Sequence, residues 1–217
     1  GKWRWVMLGY CLFVTSLSFF LPMVVVLQAA FAKAWGRGFS LDNLTLHNVR
    51  FVLVDQPLTK AATLHTFVYG ATASAIALAL ALCIAYIVQR RLVPFGNALS
   101  FLAMAPFVIP GIVLAIGFYA AYTQPPLLIY GTAWILILAF ATRFLPIAYA
   151  NSDAAIRGIN PELEDAVRIL GGGRLMAIRR VVMPLLKRAL AGAFILVFIP
   201  ATRELSAAIF LYTTGTQ

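Results

Sequence analysis

The stretch LHTFVYGATASAIALALALCIAYIV, residues 64–88, contains no Asp, Glu, Lys or Arg. The charge-free interval that holds it runs from Lys60 to Arg90. A helix needs about 20 mostly apolar residues to cross the hydrocarbon core of a bilayer. The stretch therefore predicts one membrane-spanning helix.

The rest of the chain repeats this pattern. No charge occurs between Arg4 and Lys33 or between Arg91 and Arg143, and the second interval is long enough for two spans. Thr123-Gln124-Pro125-Pro126 divides it, because consecutive prolines cannot continue a helix. We expect five spans, at roughly residues 5–31, 64–88, 98–122, 127–150 and 189–212.

The composition requires lipid as the solvent for much of the chain. Hydrophobic residues make up 62% of the 217 positions and charged residues 11%, whereas soluble domains carry about 25% charged residues. A water-soluble fold of this size has too little interior to bury so much apolar surface. We expect an all-α, polytopic transmembrane bundle, with residues 1–217 forming one transmembrane domain.

The net charge is +10, and the basic residues lie at the ends of the apolar runs. They do not form the single basic patch that a nucleic-acid-binding surface needs. Four basic residues flank one set of span ends: Lys33, Arg37, Arg50 and Lys60. Twelve flank the other set: Lys2, Arg4, Arg90, Arg91, Arg143, Arg157, Arg168, Arg174, Arg179, Arg180, Lys187 and Arg188. Because cytoplasmic loops carry the excess of basic residues, this division predicts a cytoplasmic N-terminus and a cytoplasmic loop at residues 151–188.

No motif in the chain predicts an enzyme or a metal site. Cys11 and Cys83 lie within apolar runs and are expected to be packing residues. His47 and His65 have no Cys or His at ligand spacing. The sequence contains no phosphate-binding loop and no evident nucleophile–base pair, so we predict no catalytic residue and no bound cofactor.

The cytoplasmic loop contains the most informative pattern. Asn160-Pro161-Glu162 is typical of a helix start, and an apolar stripe follows with helical spacing: Leu163, Ala166, Val167 and Leu170. Gly171 is expected to end this helix with a positive φ. A second short helix is expected over residues 174–183, ended or kinked by Pro184.

Two interpretations of this helix–glycine–helix unit remain open. It can lie in the lipid headgroups as an interfacial helix, with its arginines near phosphates. Alternatively, its apolar face can fill a groove on a cytoplasmic partner. Periodicity alone does not separate the two.

At this loop the sequence resembles the permease subunits of binding-protein-dependent ABC importers. Their signature is Glu-Ala-Ala, three residues, Gly, nine residues, then Ile-x-Leu-Pro. Asp165-Ala166-Val167, Gly171 and Val181-Val182-Met183-Pro184 stand at that spacing. Four positions depart conservatively, and Gly171-Gly172-Gly173 replaces the Gly-Ala-Ser that is common in the family.

The resemblance covers nearly the whole chain. Residues 106–113 resemble this family, and residues 143–146 and 203–207 resemble its ferric-iron branch, whose permeases often fuse two halves in one chain. Residues 1–5 and 39–45 are similar to the start of a second half. The resemblance therefore implies a second permease half, fused or separate, and a sixth span after Gln217.

The resemblance also implies a type I importer fold in a bacterial inner membrane, with several partners. The loop would dock into a cleft on a cytoplasmic ATPase subunit. The importer would contain two such subunits, which bind ATP and Mg²⁺, and an external substrate-binding protein would deliver the substrate. The implied coupling residues are Leu163, Glu164, Asp165, Ala166, Val167, Leu170, Gly171 and Pro184. Ala166, as a small residue, would permit close approach of the ATPase.

Arg203 and Glu204 are expected inside the fifth span, where an ionisable group costs at least about 2.5 kcal/mol. They either pair with neighbouring spans or line the translocation path. Arg143 is expected to reach the headgroups at the cytoplasmic end of the fourth span. Pro106, Pro110, Pro146 and Pro200 are expected to bend the spans, as fixed kinks or as gating hinges.

Three classes of function compete at this point: an ABC importer permease, a secondary transporter or channel, and a membrane enzyme. The docking signature favours the first, because a carrier without an ATPase has no use for it. Within that class we expect Fe(III) as the substrate. The alternatives are a polyamine, thiosulfate or sulfate, and an aminophosphonate.

Overall fold

The computed structural model describes residues 3–38 and 40–213. Regular structure in these ranges is helical, apart from one isolated backbone bridge between Ala32 and Leu44. Gly1, Lys2 and Phe39, which belong to the segments similar to the start of a second half, lie outside the described residues, as do residues 214–217. The all-α prediction is confirmed.

Ten α-helices occur in the described ranges: α1 Trp3–Phe31, α2 His47–Arg50, α3 Pro57–Gln89, α4 Gly96–Met104, α5 Gly111–Tyr122, α6 Ala133–Arg157, α7 Glu162–Ile169, α8 Arg174–Ala177, α9 Met183–Ala201 and α10 Ser206–Leu211. Short 3-10 segments lie at Leu41–Asn43 and Ala105–Phe107. Single π-helical turns lie at Phe51–Asp55 and Ile178–Val182.

Four of these helical runs are long and apolar enough to cross a membrane: α1, α3, α6 and the run Arg174–Ala201. The α4 and α5 segments add a fifth crossing if the two together form one bent span. The five spans expected from the sequence agree with this count. The bend between them is 110°, because Pro106 and Pro110 flank the point where the helix is interrupted.

The chain divides into two compact units, Gly1–Ala62 and Thr63–Gln217, with the boundary inside α3. In the first unit, Asn43 ties the segment after α1 together. Its amide Nδ2 donates to the carbonyls of Ala34 and Gly38, both at 3.2 Å, and its Oδ1 accepts from the Ala34 N–H. Asn48 donates to the Ala32 carbonyl at 2.9 Å, which satisfies a group left free at the end of α1.

The core of the second unit is centred on α6. Its buried apolar side chains include Ile135, Phe140, Phe144, Tyr149 and Ile156, and it packs against α9. One face of α3 carries small buried residues with helical spacing, namely Gly70, Ser74, Ala77, Ala81 and Ala85. Small residues allow helix backbones to approach closely in a membrane.

The prediction of one continuous fifth span was wrong. Helix α9 ends at Ala201 and α10 begins at Ser206, so Arg203 and Glu204 lie in a non-helical break. The Thr202 hydroxyl donates to the Ile199 carbonyl at 2.9 Å, and a Glu204 oxygen accepts from the Ala207 N–H at 3.2 Å. These polar side chains satisfy backbone groups that a continuous helix would have paired internally.

The prediction of a separate second loop helix ended by Pro184 was also wrong. Helix α8 continues through the π turn at Ile178–Val182 into α9. Pro184 lies directly after this π turn, and both proline and a π turn interrupt the regular hydrogen-bond ladder of a helix. The second half of the loop at residues 151–188 is therefore continuous with the last long membrane helix.

Candidate functional site

The first loop helix, α7, begins at Glu162, one residue later than expected. The Asn160 Oδ1 accepts a hydrogen bond from the Glu162 N–H at 3.1 Å, so Asn160 does support the helix start as its residue type predicts. Pro161 adopts helical backbone angles immediately before the helix. This local chemistry fixes where α7 leaves the end of α6.

The glycine elbow adopts the conformation expected from the sequence. Gly171 has a φ of +82°, and its N–H donates to the Arg168 carbonyl at 2.9 Å. The Gly172 N–H donates to the Val167 carbonyl at 2.9 Å. This pair of bonds is the Schellman arrangement that ends a helix, and it sets the angle between α7 and α8.

The outer surface of the loop is apolar and exposed. The side chains of Ile169 and Leu170 are 85% and 88% exposed, and Leu163 and Leu175 are also exposed. Ala166 lies on the same surface, whereas Val167 is half-buried. Ile169 and Leu175 were not among the expected coupling residues, although Ile169 directly precedes Leu170 in an apolar run.

The Glu164 side chain lies on the side of α7 opposite to this exposed surface and is buried. The Arg90 Nε donates to Glu164 Oε1 at 2.7 Å, and the Tyr86 hydroxyl donates to Glu164 Oε2 at 2.6 Å. The Arg90 Nη2 also donates to the Ile159 carbonyl at 3.3 Å. The sequence places Glu164 among coupling residues, but it gives no sign of these partners on α3.

A second polar contact lies nearby. The Gln89 amide donates to Asp153 Oδ1 at 2.5 Å, and Arg157 forms an ion pair with the other Asp153 oxygen. Asp153 is buried. The C-terminal end of α3 is thus joined to both α6 and α7 by charged or amide side chains.

Within the spans, Arg143 lies near the middle of α6 rather than at the end of the span, where it was expected. Its Nη1 donates to the carbonyls of Ile109 at 2.5 Å and Pro106 at 3.3 Å. The expectation that Arg143 reaches the headgroups was wrong. The bend between α4 and α5 leaves carbonyls without helical partners, and a buried carbonyl is costly to leave unpaired.

Arg143 and Glu204 border the same small space at Gly111. A Cβ atom at Gly111 would lie 3.0 Å from Glu204 Oε1 and 3.7 Å from Arg143 Nε. Glu204 is half-buried, and Arg203 is exposed. Glu204 therefore has a positively charged neighbour, Arg143 of α6, whereas the Arg203 side chain is exposed on the surface. No group of three or more His, Cys, Asp or Glu residues able to hold a metal occurs among residues 3–38 and 40–213.

Comparison with known families gives a match over most of the second unit. A family model described as "Binding-protein-dependent transport system inner membrane component" matches residues 77–216. This range contains α4 to α10, the complete loop at residues 151–188 and both interrupted spans. It is more than half of the chain.

Several curated relatives are named as permease proteins of transport systems. The chain is 32% identical over 195 residues to the ferric transport system permease protein FbpB of Actinobacillus pleuropneumoniae, covering 88% of this chain and 28% of that protein. It is also 32% identical to the putative ferric transport system permease protein FbpB 1 of Haemophilus influenzae, covering 88% and 30%. The chain thus spans less than a third of the length of these two relatives.

A second group of relatives has a different printed substrate. The putative 2-aminoethylphosphonate transport system permease protein PhnV of Salmonella paratyphi A is 27% identical over 197 residues. That match covers 91% of this chain and 73% of the relative.

Proposed function

Because the chain belongs to the family of binding-protein-dependent transport system inner membrane components, we propose that it lines the membrane path of an ATP-driven importer and docks a cytoplasmic ATPase. It is a multi-pass inner-membrane permease of the ABC class. The observation that carries the docking proposal is the exposed apolar surface of α7, with Ile169 and Leu170 almost fully accessible. Exposed apolar patches rimmed by polar residues mark interaction sites.

The docking surface consists of Leu163, Asp165, Ala166, Ile169 and Leu170. A groove on the ATPase would receive the apolar members, as in other helix-in-groove contacts. Asp165 lies on the exposed side, 3.3 Å from Arg168, where both charges are accessible to a partner. Gly171 and Pro184 act indirectly, because the elbow and the start of α9 fix the direction of this surface.

The competing interpretation is an interfacial helix lying in the headgroups. Such helices carry basic residues on the polar face, whereas the exposed side chains in the first turn of α7 include the acids Glu162 and Asp165. Acidic residues are repelled by anionic lipid. This difference favours a protein partner, and it also favours an importer over a secondary transporter or channel, which needs no ATPase.

The complete importer needs further components. We propose two ATPase subunits carrying ATP and Mg²⁺, a second permease half and an external substrate-binding protein. The permease itself would bind no cofactor, and its N-terminus would face the cytoplasm, since the basic residues cluster at that set of span ends.

We propose Fe(III) as the substrate, with an aminophosphonate as the second candidate. The printed names of the relatives at 32% identity support the first, and those at 27% identity support the second. We propose that Arg203 and Glu204 line the path, because non-helical backbone at membrane depth is tolerated only inside protein or beside a water-filled cavity. Glu204 lies near Arg143, so its charge is partly offset.

The docking proposal is tested by Ala166→Arg in the full importer complex. A buried, unpaired arginine in the groove would oppose docking, so we expect normal membrane abundance, weakened ATPase association and lost transport. Ala154→Arg is the matched control, because Ala154 is an exposed helical alanine away from the docking surface. Wild-type association in the Ala166→Arg variant would show that α7 is only an interfacial helix.

The substrate proposal is tested by uptake in cells that lack this permease. We expect uptake of labelled Fe(III) to fall and uptake of labelled 2-aminoethylphosphonate to persist. The reverse result would replace iron by the aminophosphonate, while leaving the docking proposal intact.

A further inference from the structure

Resting on the proposed function, we propose that Glu164, Arg90 and Tyr86 form a positioning cluster that passes movement of the ATPase-docking helix directly to α3. We name these three residues the Glu164 cluster. Its role would be energy coupling rather than ATPase binding. The site belongs to the cytoplasmic end of α3 as much as to the loop itself.

The geometry of the Glu164 cluster leaves its central carboxylate fully engaged. Each carboxylate oxygen of Glu164 accepts one hydrogen bond, at 2.7 Å from Arg90 and 2.6 Å from Tyr86. The side chains of Arg90 and Glu164 are only 12% and 10% exposed. Charge-assisted hydrogen bonds of this length are about twice as strong as neutral ones, and the low exposure shields them from water.

The Glu164 cluster connects three segments. Arg90 and Tyr86 come from the last turns of α3, Glu164 comes from α7, and the Ile159 carbonyl that accepts from Arg90 lies in the turn between α6 and α7. Displacement of α7 therefore either moves α3 with it or breaks the ion pair. Breaking it would leave a buried charge without its partner, which is strongly unfavourable, so movement of the two helices together is favoured.

The position of Glu164 beside the docking surface suits this role. Asp165 and Ala166, the next two residues, are exposed, whereas Glu164 is buried, because successive residues of a helix point about 100° apart. One turn of α7 thus presents its outer side to a partner and its inner side to α3. No flexible segment separates the docking surface from Glu164, because both lie on α7.

Stability alone does not account for an ion pair at this position. Well-packed apolar residues often serve as well as, or better than, a buried ion pair. A directional pair instead fixes one register between two elements, and Arg90 and Glu164 would keep α3 and α7 in register as both move. The nearby contact between Gln89 and Asp153 joins the same end of α3 to α6 and does not involve α7, which makes it an internal control.

The experiment uses the assembled importer in proteoliposomes, with the wild type, Glu164→Gln, Arg90→Met and the charge-swapped Glu164→Arg/Arg90→Glu double variant. Three quantities are measured: ATPase association, ATP hydrolysis, and substrate transported per ATP. We expect both single variants to retain association but to lose at least about fivefold in transport per ATP, the lower range of coupling between sites. The swapped double variant should regain part of that loss.

Gln89→Met is the matched control, and we expect it to leave transport per ATP within about twofold of wild type. Wild-type coupling in Glu164→Gln and Arg90→Met would overturn the proposal, as would an equal loss in Gln89→Met or no recovery in the double variant. Failure of the proposed function is distinguishable, because the wild type itself would then associate with no ATPase.

Discussion

A Cβ atom at Gly172 would lie 2.5 Å from Val167 Cγ1 and 2.9 Å from the Val167 carbonyl oxygen. The two residues therefore share one packing position at the end of α7. The signature that the loop resembles has alanine at the position of Val167, and alanine commonly follows its glycine. Here one side chain is larger and the other smaller, so the two departures compensate in volume.

We expect Gly172→Ala to destabilise the elbow by about 1–3 kcal/mol, the usual cost of overpacking. Val167→Ala combined with Gly172→Ala should recover part of that loss, since it removes the closest carbon. Proteolytic protection of the loop in the purified permease measures both effects. Gly173→Ala is the control, because nothing lies within 4 Å of its Cβ position; equal damage there would refute the packing account.

Gly171 has a different constraint, which is conformational. Its φ is +82°, and no atom lies within 4 Å of a Cβ built there. Gly171→Val should therefore cost of order 1–2 kcal/mol through backbone strain alone. Gly171→Asn should be tolerated much better, since Asn adopts this region more readily. The same protection assay, together with transport, checks the difference; similar losses for Asn and Val would contradict it.

Arg143 should be required for the bent span to hold its shape. In Arg143→Met the Ile109 carbonyl loses its donor, at about 1–3 kcal/mol for a buried unsatisfied group, whereas the Pro106 carbonyl keeps the Ile109 N–H at 3.3 Å. Glu204 also loses its cationic neighbour. Adding Glu204→Gln should be less than additive, because both changes act on one cluster. Unfolding in mixed detergent micelles measures the free energies.

Arg203→Met is the control for that series. Arg203 is exposed in the same break, so its replacement should change the free energy of unfolding by less than about 0.5 kcal/mol. A loss equal to that of Arg143→Met would mean that any charge at this depth, rather than the carbonyl contacts, determines stability.

Gly70 should control how closely α3 approaches the break after α9. A Cβ atom there would lie 2.8 Å from Thr202 Cγ2 and 3.5 Å from Phe198 Cε2. We expect Gly70→Ala to cost about 1–3 kcal/mol, and the double variant with Thr202→Ser to recover much of it, because serine keeps the hydroxyl and lacks the methyl group. Gly192→Ala, which has no neighbour within 4 Å, should be neutral in the same unfolding assay.

The spans and the elbow could be predicted because each depends on a short, contiguous stretch of sequence. The charge-free interval around residues 64–88 can only be satisfied by a bilayer, and Gly171 follows the last residue of an apolar stripe. Local signals of this kind need no knowledge of neighbours. The same holds for Asn160, whose side chain acts two residues away.

Other features could not be predicted, because they depend on contacts between residues that are distant in the sequence. Glu164 was expected among the coupling residues, but its partner Arg90 is 74 positions away in the sequence. The break at 202–205 was hidden because an apolar run on both sides predicts one continuous span. Arg143 was misplaced for a related reason: its partners are backbone carbonyls, which exist only once the third span bends.

The run Arg174–Ala201 contains 28 residues without a chain interruption, which corresponds to about 42 Å at 1.5 Å per residue. If this helix moves as a rigid body, a rotation at α8, its N-terminal end, displaces its C-terminal end. A tilt of about 5° at the elbow would displace the opposite end by about 4 Å over this length, the scale of a side chain. Small rotations at the elbow would therefore produce larger displacements at Thr202 and Glu204.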